Sequence, residues 1–204
     1  MTHAALKSHP VFLKGRAAVS NPEGRFVREH REAVDDGWVT EPPEGVSPQT
    51  TVTLEHARSI ISRNQSPDVF FDQSINPYRG CEHGCIYCYA RPNHAYVGLS
   101  PGRDFETRLF AKPDAAALLA NELSHPSYRC STIVLGTATD AYQPVERDMR
   151  ITRALIQTLA DCNHPLSIIT KSSLVERDID LLAAMARKRL AAVFVTVTTL
   201  DADL

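Results

Sequence analysis

Three of the chain's five cysteines lie within eight positions, in the stretch YRGCEHGCIYCYARP. Cys81, Cys85 and Cys88 are separated by three residues and then by two. Thiolates are soft ligands that select zinc, copper(I) or iron–sulfur clusters. The two glycines of this stretch permit the tight turns that three converging thiolates need. An odd number of cysteines with such local clustering does not suggest a disulfide framework, so the stretch predicts a metal site.

Three thiolates are compatible with two kinds of metal site. A structural zinc site uses four protein ligands, and His83 or His94 could complete a Cys₃His set in a non-enzymatic zinc module. A four-iron cluster is usually held by four cysteines, so three would leave one iron open to a substrate or cosubstrate. We expect Cys130, at the start of a predicted strand, and Cys162, at a helix end, to lie at the opposite rim.

The elements that must position these cysteines follow an alternating pattern. Short apolar runs predict strands, and longer amphipathic stretches between them predict helices. The predicted strands are 70–78, 131–136, 166–170 and 191–200, and the predicted helices are 112–124, 145–162 and 176–190. This alternation predicts βαβ units, a parallel sheet and an α/β fold. Residues 1–65 are rich in Pro, Gly and charge and predict a loop-rich amino-terminal arm before a core at 66–204.

The carboxyl ends of the predicted strands carry the polar and small residues. They are the cysteine loop, then GTATDAYQP, TKSSL and TTLDADL. Ligands of α/β barrels and open sheets bind at this edge. The four segments therefore predict one shared site.

Bulk properties narrow the class of protein. The 204 residues are 43% apolar and 23% charged, which is typical of a globular protein with a core. The formal net charge of −2 argues against strong nonspecific nucleic-acid binding. No apolar run reaches the length of a membrane span, and the first residues lack a signal-peptide core, so we expect a cytoplasmic protein without a membrane partner.

The cysteine spacing, with an aromatic residue before the third cysteine and a strand before the loop, resembles the radical S-adenosylmethionine (SAM) superfamily. CEHGCIYCYARP, GTATDAYQP and TKSSL together are similar to its spore photoproduct lyase branch, the DNA-repair-photolyase-like proteins. The upstream KGRAAVSNPEGRF resembles one bacterial subgroup. The resemblance implies a partial TIM-like (βα) barrel with about four of six strands present. We therefore expect this chain to be the amino-terminal part of a longer protein.

The resemblance also implies an activity. Members of this superfamily use a [4Fe-4S] cluster to cleave SAM reductively, and the resulting 5′-deoxyadenosyl radical abstracts hydrogen from a substrate. The branch suggests a lyase-like repair of a pyrimidine photoproduct in DNA, and the alternative is a protein, RNA or metabolite substrate. The implied partners are SAM, a one-electron donor such as flavodoxin or ferredoxin, and damaged DNA.

Residue roles follow from the same resemblance. Cys81, Cys85 and Cys88 would be the metal ligands. The residues that would bind SAM are Tyr87, Gly136, Thr137, Thr139, Asp140, Lys171 and Ser172. Tyr89 is the catalytic candidate, since a tyrosine at this place in the lyases is implicated in radical or hydrogen relay.

Individual SAM contacts have specific roles and plain alternatives. Tyr87 would pack near the adenine, or simply on the barrel rim. Asp140 would meet SAM's ammonium group, or cap a helix beginning near Val145. Lys171 would meet the carboxylate, or be solvated, and Ser172 would reach the ribose.

Three further expectations concern residues outside this set. Thr198 and Thr199 would pack in a barrel layer rather than line the site. Cys130 precedes its strand, so it should lie at the wrong end to serve as the cysteine hydrogen donor of the lyases. Four arginines of the arm could touch phosphate, although acidic neighbours make a solvated surface the more common outcome for such a run. They are Arg16, Arg25, Arg28 and Arg31.

Overall fold

The computed structural model describes residues 16–27 and 49–201, which form two β-sheets and the helices that connect their strands. The three-stranded sheet has β1 (Thr51–Leu54), β4 (Tyr78–Arg79) and β5 (Arg108–Ala111) in the order β1-β5-β4. The five-stranded sheet has β2 (Ser62–Arg63), β3 (Gln73–Ile75), β6 (Ile133–Leu135), β7 (Leu166–Thr170) and β8 (Ala191–Val195) in the order β2-β3-β6-β7-β8.

The helices connect these strands along the chain. They are α1 (Arg103–Thr107), α2 (Ala115–Leu123), α3 (Glu146–Met149), α4 (Ile151–Asp161) and α5 (Ile179–Arg187), with 3₁₀ segments at Arg91–Val97 and Ser173–Asp178. No helix in the described ranges is long and apolar enough to cross a membrane.

The five-stranded sheet confirms the predicted α/β arrangement. Strands β3, β6, β7 and β8 run parallel, and only β2 pairs antiparallel, with β3. The predicted stripe of Ile151, Leu155 and Leu159 on α4 is buried in the main core. The carboxyl ends of β6 and β7 therefore lie side by side, as parallel pairing requires.

Two of the predicted elements are divided. The expected helix at 145–162 is split because Arg150 adopts a left-handed conformation, with φ of 53°, between α3 and α4. The expected strand at 70–78 contributes only Gln73–Ile75 to the large sheet, and Tyr78–Arg79 pairs with β5 in the small sheet. The chain thus changes sheets just before the cysteine loop.

The expectation of a buried strand at 191–200 was wrong in its length and in its burial. Strand β8 ends at Val195, and among the described residues it pairs only with β7, at the edge of the five-stranded sheet. Phe194 and Val195 are exposed, and so are Thr198 and Thr199, which do not pack in a layer as expected. Residues 202–204 of the predicted TTLDADL strand end lie outside the described residues.

The predicted arm contains regular structure where the sequence predicted loops. Strand β1 pairs in parallel with β5, and β2 pairs with β3, so both sheets include residues of the 1–65 segment. The arm is therefore continuous with the core at residues 51–54 and 62–63. Residues 1–15 and 28–48, including Arg28 and Arg31, lie outside the described residues.

Candidate functional site

The cysteine loop is a succession of tight turns attached to α1. The amide of Cys81 donates to the carbonyl oxygen of Phe105 at 2.8 Å. Gly80 and Gly84 have φ of 73° and 61°, the left-handed region that glycine adopts without strain. The amide of Cys88 donates to the Cys85 carbonyl at 3.2 Å. These turns bring the three cysteines to one side of the loop.

All three cysteines open on one cavity of about 260 Å³ at the carboxyl ends of β6, β7 and β8. The cavity is lined by Cys81, Cys85, Tyr87, Cys88, Tyr89, Phe105, Gly136, Thr137, Ala138, Thr139, Asp140, Ile169, Thr170, Lys171 and Thr196. Every site residue predicted from the sequence is in this set except Ser172. The structure therefore brings the separate sequence segments together where parallel strand ends place a ligand.

Ser172 has a local structural role instead. Its side-chain oxygen accepts a hydrogen bond from the amide of Leu174 at 3.2 Å and caps the 3₁₀ segment Ser173–Asp178. Its own amide donates to the Thr170 hydroxyl at 3.0 Å. Within this arrangement Ser172 shapes the turn after β7 rather than the cavity wall.

The Asp140 carboxylate, just after β6, contacts the end of β7 and the cysteine loop. One oxygen accepts from the Thr170 hydroxyl at 2.6 Å and from the Tyr142 amide at 2.9 Å, and the other accepts from the Lys171 amide at 2.9 Å. His83 Nε2 lies 3.3 Å from the second oxygen. Burial raises the pKa of Asp140, but these partners outweigh it and hold the pKa below its ordinary value. Asp140 is therefore a carboxylate that binds the two strand ends together.

The suggested cap of the following helix is made by a different residue. The carboxylate of Glu82, within the cysteine loop, accepts from the Val145 amide at 2.8 Å. Its other oxygen accepts from the Thr50 hydroxyl at 2.8 Å. The cysteine loop thus holds the start of α3.

Two ionisable groups that line the cavity, Cys81 and Lys171, have shifted pKa values. Burial raises the pKa of the Cys81 thiol to about 11, so this group ionises when a metal replaces its proton. Burial lowers the pKa of Lys171, but Cys85, Tyr87 and Asp140 outweigh it and raise the pKa above its ordinary value. The Lys171 ammonium lies 5.9 Å from the centre of the Tyr87 ring. A stable cation therefore stands beside the second cysteine.

The two tyrosines of the loop lie at the mouth of the cavity. Tyr87 and Tyr89 have 66% and 76% of their surfaces exposed, so neither is a buried core residue. The Tyr89 hydroxyl donates to the backbone carbonyl of Thr137. Partial burial and the nearby Cys88 raise the pKa of Tyr89, so its phenol keeps its proton.

Two side-chain amides, of Asn76 and Gln143, support the cavity, and no local pattern in the sequence indicates either role. The side-chain oxygen of Asn76 accepts from the amides of Ala138 and Thr139, at 2.8 and 3.3 Å. Gln143 is fully buried; its side chain accepts from the Glu82 amide at 2.9 Å and donates to the Gly80 carbonyl at 3.2 Å. Each links the cysteine side of the site to the β6 loop, and such pairings become visible only in the fold.

The donor set favours a cluster over a Cys₃His zinc ion. His94 is buried, its Nε2 bonds the Arg108 carbonyl at 3.0 Å, and burial lowers its pKa. His83 lies against Asp140, and neither histidine lines the cavity. Among residues 16–27 and 49–201, no three His, Cys, Asp or Glu side chains are close enough to share one ion. Three cysteines around one cavity fit a larger group, and thiolates are the ligands of iron–sulfur clusters.

Comparisons with known proteins agree with this donor set. Residues 75–204 match the Radical SAM superfamily, a family whose members typically use a [4Fe-4S] cluster and SAM. No solved structure matches the chain significantly.

Similar proteins are found in bacteria and in an archaeon. An uncharacterized protein of Mycobacterium tuberculosis is 42% identical over 134 residues, which are 66% of this chain and 39% of that protein. An uncharacterized protein of Methanocaldococcus jannaschii is 34% identical over 107 residues, 52% of this chain and 38% of that protein. The chain spans about two-fifths of the length of these relatives. Because the family match covers residues 75–204, well over half of the sequence, this chain belongs to the radical SAM superfamily.

Proposed function

We propose that this protein is a radical SAM enzyme that holds a [4Fe-4S] cluster on Cys81, Cys85 and Cys88 and binds SAM in the adjoining cavity. The observation that carries the proposal is that the three cysteines and the ends of β6 and β7 surround the same cavity. When bound, the cluster supplies the electron that cleaves SAM to methionine and a 5′-deoxyadenosyl radical, which takes a hydrogen atom from the substrate.

The chain's own groups bind and orient SAM in this proposal. Lys171 provides a cation for SAM's carboxylate, since its raised pKa keeps it charged. Asp140 already accepts three hydrogen bonds and holds the loop in shape. In this proposal the ammonium binds backbone carbonyl groups of the cavity-lining residues Gly136, Ala138 and Thr139. Phe105 and Ile169 give the cavity an apolar wall that excludes water.

Tyr89 remains the candidate for relay of a hydrogen atom. It lies at the exposed mouth of the cavity, beside Cys88, where a substrate would approach. Its hydroxyl is oriented by the Thr137 carbonyl, and its protonated phenol is the form that gives up a hydrogen atom.

The finer proposal, membership of the lyase branch with repair of a pyrimidine photoproduct, is supported by sequence resemblance alone. The described arginines of the arm are engaged elsewhere: Arg16 bonds Glu82 at 3.0 Å, and Arg25 bonds the Tyr96 hydroxyl at 2.7 Å. Cys130 is exposed before β6, at the opposite end of that strand from the cavity. These contacts give the repair reaction no structural support, and the alternative substrate classes are a protein, an RNA or a metabolite. A flavodoxin or ferredoxin is the proposed electron donor.

Anaerobic reconstitution with iron and sulfide tests the reaction class. We expect a brown protein that cleaves SAM to 5′-deoxyadenosine when a reductant is present. Cys85→Ala should abolish both properties, and Cys130→Ala, a change at an exposed cysteine away from the cavity, should retain them. A colourless protein that keeps one zinc ion, or SAM cleavage that survives Cys85→Ala, overturns the proposal.

The substrate is tested separately with the reconstituted protein. Irradiated and undamaged DNA are compared for lesion reversal that depends on SAM and reductant. Reversal specific to irradiated DNA supports the repair reaction. SAM cleavage without reversal and without damage-dependent binding excludes it and leaves the other substrate classes.

A further inference from the structure

A buried carboxylate next to the cysteine loop has no part in the proposed chemistry. Glu106, in α1, is fully buried and does not line the cavity. Its oxygens accept from three successive backbone amides, those of Arg16 at 2.6 Å, Ala17 at 3.1 Å and Ala18 at 2.9 Å. Successive amides around one anion form a nest, a geometry that binds negative charge. Glu106 therefore anchors the amino-terminal segment to the body of the protein.

The same carboxylate also pairs with Arg91, whose guanidinium reaches the cysteine loop. Arg91 donates to the carbonyls of Gly84 at 2.7 Å and Cys85 at 2.9 Å. Its remaining nitrogen donates to the carbonyls of residues 101 and 102, just before α1. One guanidinium thus fixes the backbone of the second cysteine against two other segments.

The packing around this pair leaves little space. A Cβ at Gly84 would lie 3.1 Å from the Glu106 carboxyl carbon and 3.1 Å from the Arg16 Cβ, and its φ of 61° already favours glycine. The Arg16 guanidinium adds a bond to the Glu106 carbonyl oxygen. The amino-terminal segment, the cysteine loop and α1 are in direct contact at this point.

Residues 16–27, named here the amino-terminal strap, continue along the same face. The Arg103 amide donates to the Ser20 carbonyl at 3.2 Å. Asn21 and Asp104 exchange two hydrogen bonds, each 3.0 Å long. The strap is therefore held at both ends of α1 and not only at Glu106.

We propose that the amino-terminal strap supports the cluster site, because its contacts with Glu106 hold Cys85 in a ligating geometry. Glu106 binds the strap and positions Arg91, and Arg91 positions the backbone of Cys85. The inference rests on the proposed function, in which Cys85 is a cluster ligand. Glu106 and Arg91 are positioning residues, because they act through the cysteine and do not touch the cluster or SAM. The strap thus has the role of keeping the second cysteine in a ligating geometry.

Glu106→Gln tests this chain of contacts at its centre. The amide keeps the size of the side chain but sets an NH₂ group against Arg91 or the strap amides, which can only donate. Partners outside the ligand sphere typically change metal affinity 10–100-fold. After anaerobic reconstitution, we expect cluster retention against an iron chelator to fall by about 10-fold or more. The paramagnetic resonance spectrum of the reduced cluster should change as well.

The matched control is Asp178→Asn. Asp178 is also a fully buried carboxylate, and it pairs with two guanidinium groups, those of Arg153 and Arg177. Asp178 also accepts from the Tyr142 hydroxyl at 3.0 Å, and in the described part of the chain none of these three partners bonds residues 80–91. This variant should lose stability in thermal unfolding and still retain its cluster as the wild type does.

Arg91→Lys is the second test and preserves the charge. A lysine ammonium cannot span the four carbonyl groups that the planar guanidinium reaches. We expect weakened cluster retention with a circular dichroism spectrum like that of the wild type. This variant decides the question if Glu106→Gln does not fold.

The outcomes separate this inference from the proposed function. A wild-type protein that takes up no iron–sulfur cluster contradicts both. A wild type that loads, together with folded Glu106 or Arg91 variants that retain the cluster equally well, contradicts the role of the strap alone. Equal losses of cluster retention in the Asp178 control and in the Glu106 variant also overturn it, since a general loss of stability would then explain both.

Discussion

Replacing the buried Gln143 by leucine should lower the stability of the protein and weaken the support of the cysteine loop. Gln143 is fully buried, and its side chain is the partner of the Glu82 amide and the Gly80 carbonyl, on either side of Cys81. Leucine of similar size removes the bonding amide and leaves both backbone groups buried without it. An unsatisfied buried donor or acceptor costs about 1–3 kcal/mol. The free energy of unfolding should therefore fall by about 2–6 kcal/mol.

This loss can be measured on the metal-free protein under reducing conditions. For a chain of this size, a loss of about 4 kcal/mol corresponds to a melting temperature lowered by about 8–16 °C. Cluster content after reconstitution should fall as well, since the residues flanking Cys81 lose their restraint. Gln157→Leu is the control, because Gln157 is exposed on α4 and its side chain bonds only Asp161 in the part of the chain that the structure describes. This change should alter stability by less than about 0.5 kcal/mol. Equal melting temperatures for the two variants would refute the reasoning.

Two further predictions concern the backbone and a buried charge. Gly136→Ala should lower the melting temperature far more than Gly98→Ala: both glycines have positive φ, but a Cβ at Gly136 would overlap the Ile169 carbonyl oxygen, and one at Gly98 meets nothing within 4 Å. Similar melting curves for the two variants would contradict this. Burial alone would raise the pKa of Glu106, but Arg91 and the strap amides hold it below its ordinary value of 4.5. Its contribution is therefore complete above that pH and lost as the pH falls through the lower folded-state value, so the stability difference between wild type and Glu106→Gln should shrink on acidification in urea titrations. A difference that stays constant between about pH 7 and pH 3 would show that this carboxyl does not titrate as described.

The parallel core could be predicted from the sequence because its signals are local. The run LSIIT is strand β7 over the predicted residues, and the apolar stripe of α4 lies in the core as its spacing indicated. The cavity was predictable for the same reason, since its residues follow strands whose carboxyl ends meet at one edge. The length and burial of the outer strand β8 could not be predicted. Both depend on a neighbour on the far side of the strand rather than on its own apolar sequence.

The small sheet and the support of the cysteine loop depend on distant pairing. The TVTL run of β1 alternates as a strand does but is only four residues long, and its partner β5 begins at Arg108, more than fifty residues along the chain. Glu106 and Gln143 are polar side chains that composition would place on the surface. Only the strap amides, Arg91 and the cysteine loop explain their burial, and no short window of sequence contains both partners.

The passage of the chain between the two sheets has a consequence for the metal site. Ile75 ends its strand in the large sheet and Tyr78 begins one in the small sheet, so two residues separate the sheets immediately before Cys81. The cysteine side of the cavity is therefore a loop that follows a strand of the small sheet, and the facing side is formed at the carboxyl ends of β6 and β7 in the large sheet. A metal group on the cysteines, together with a ligand that also contacts the ends of β6 and β7, would link the two sides, so the free energy of binding would stabilise the docked position of the cysteine loop.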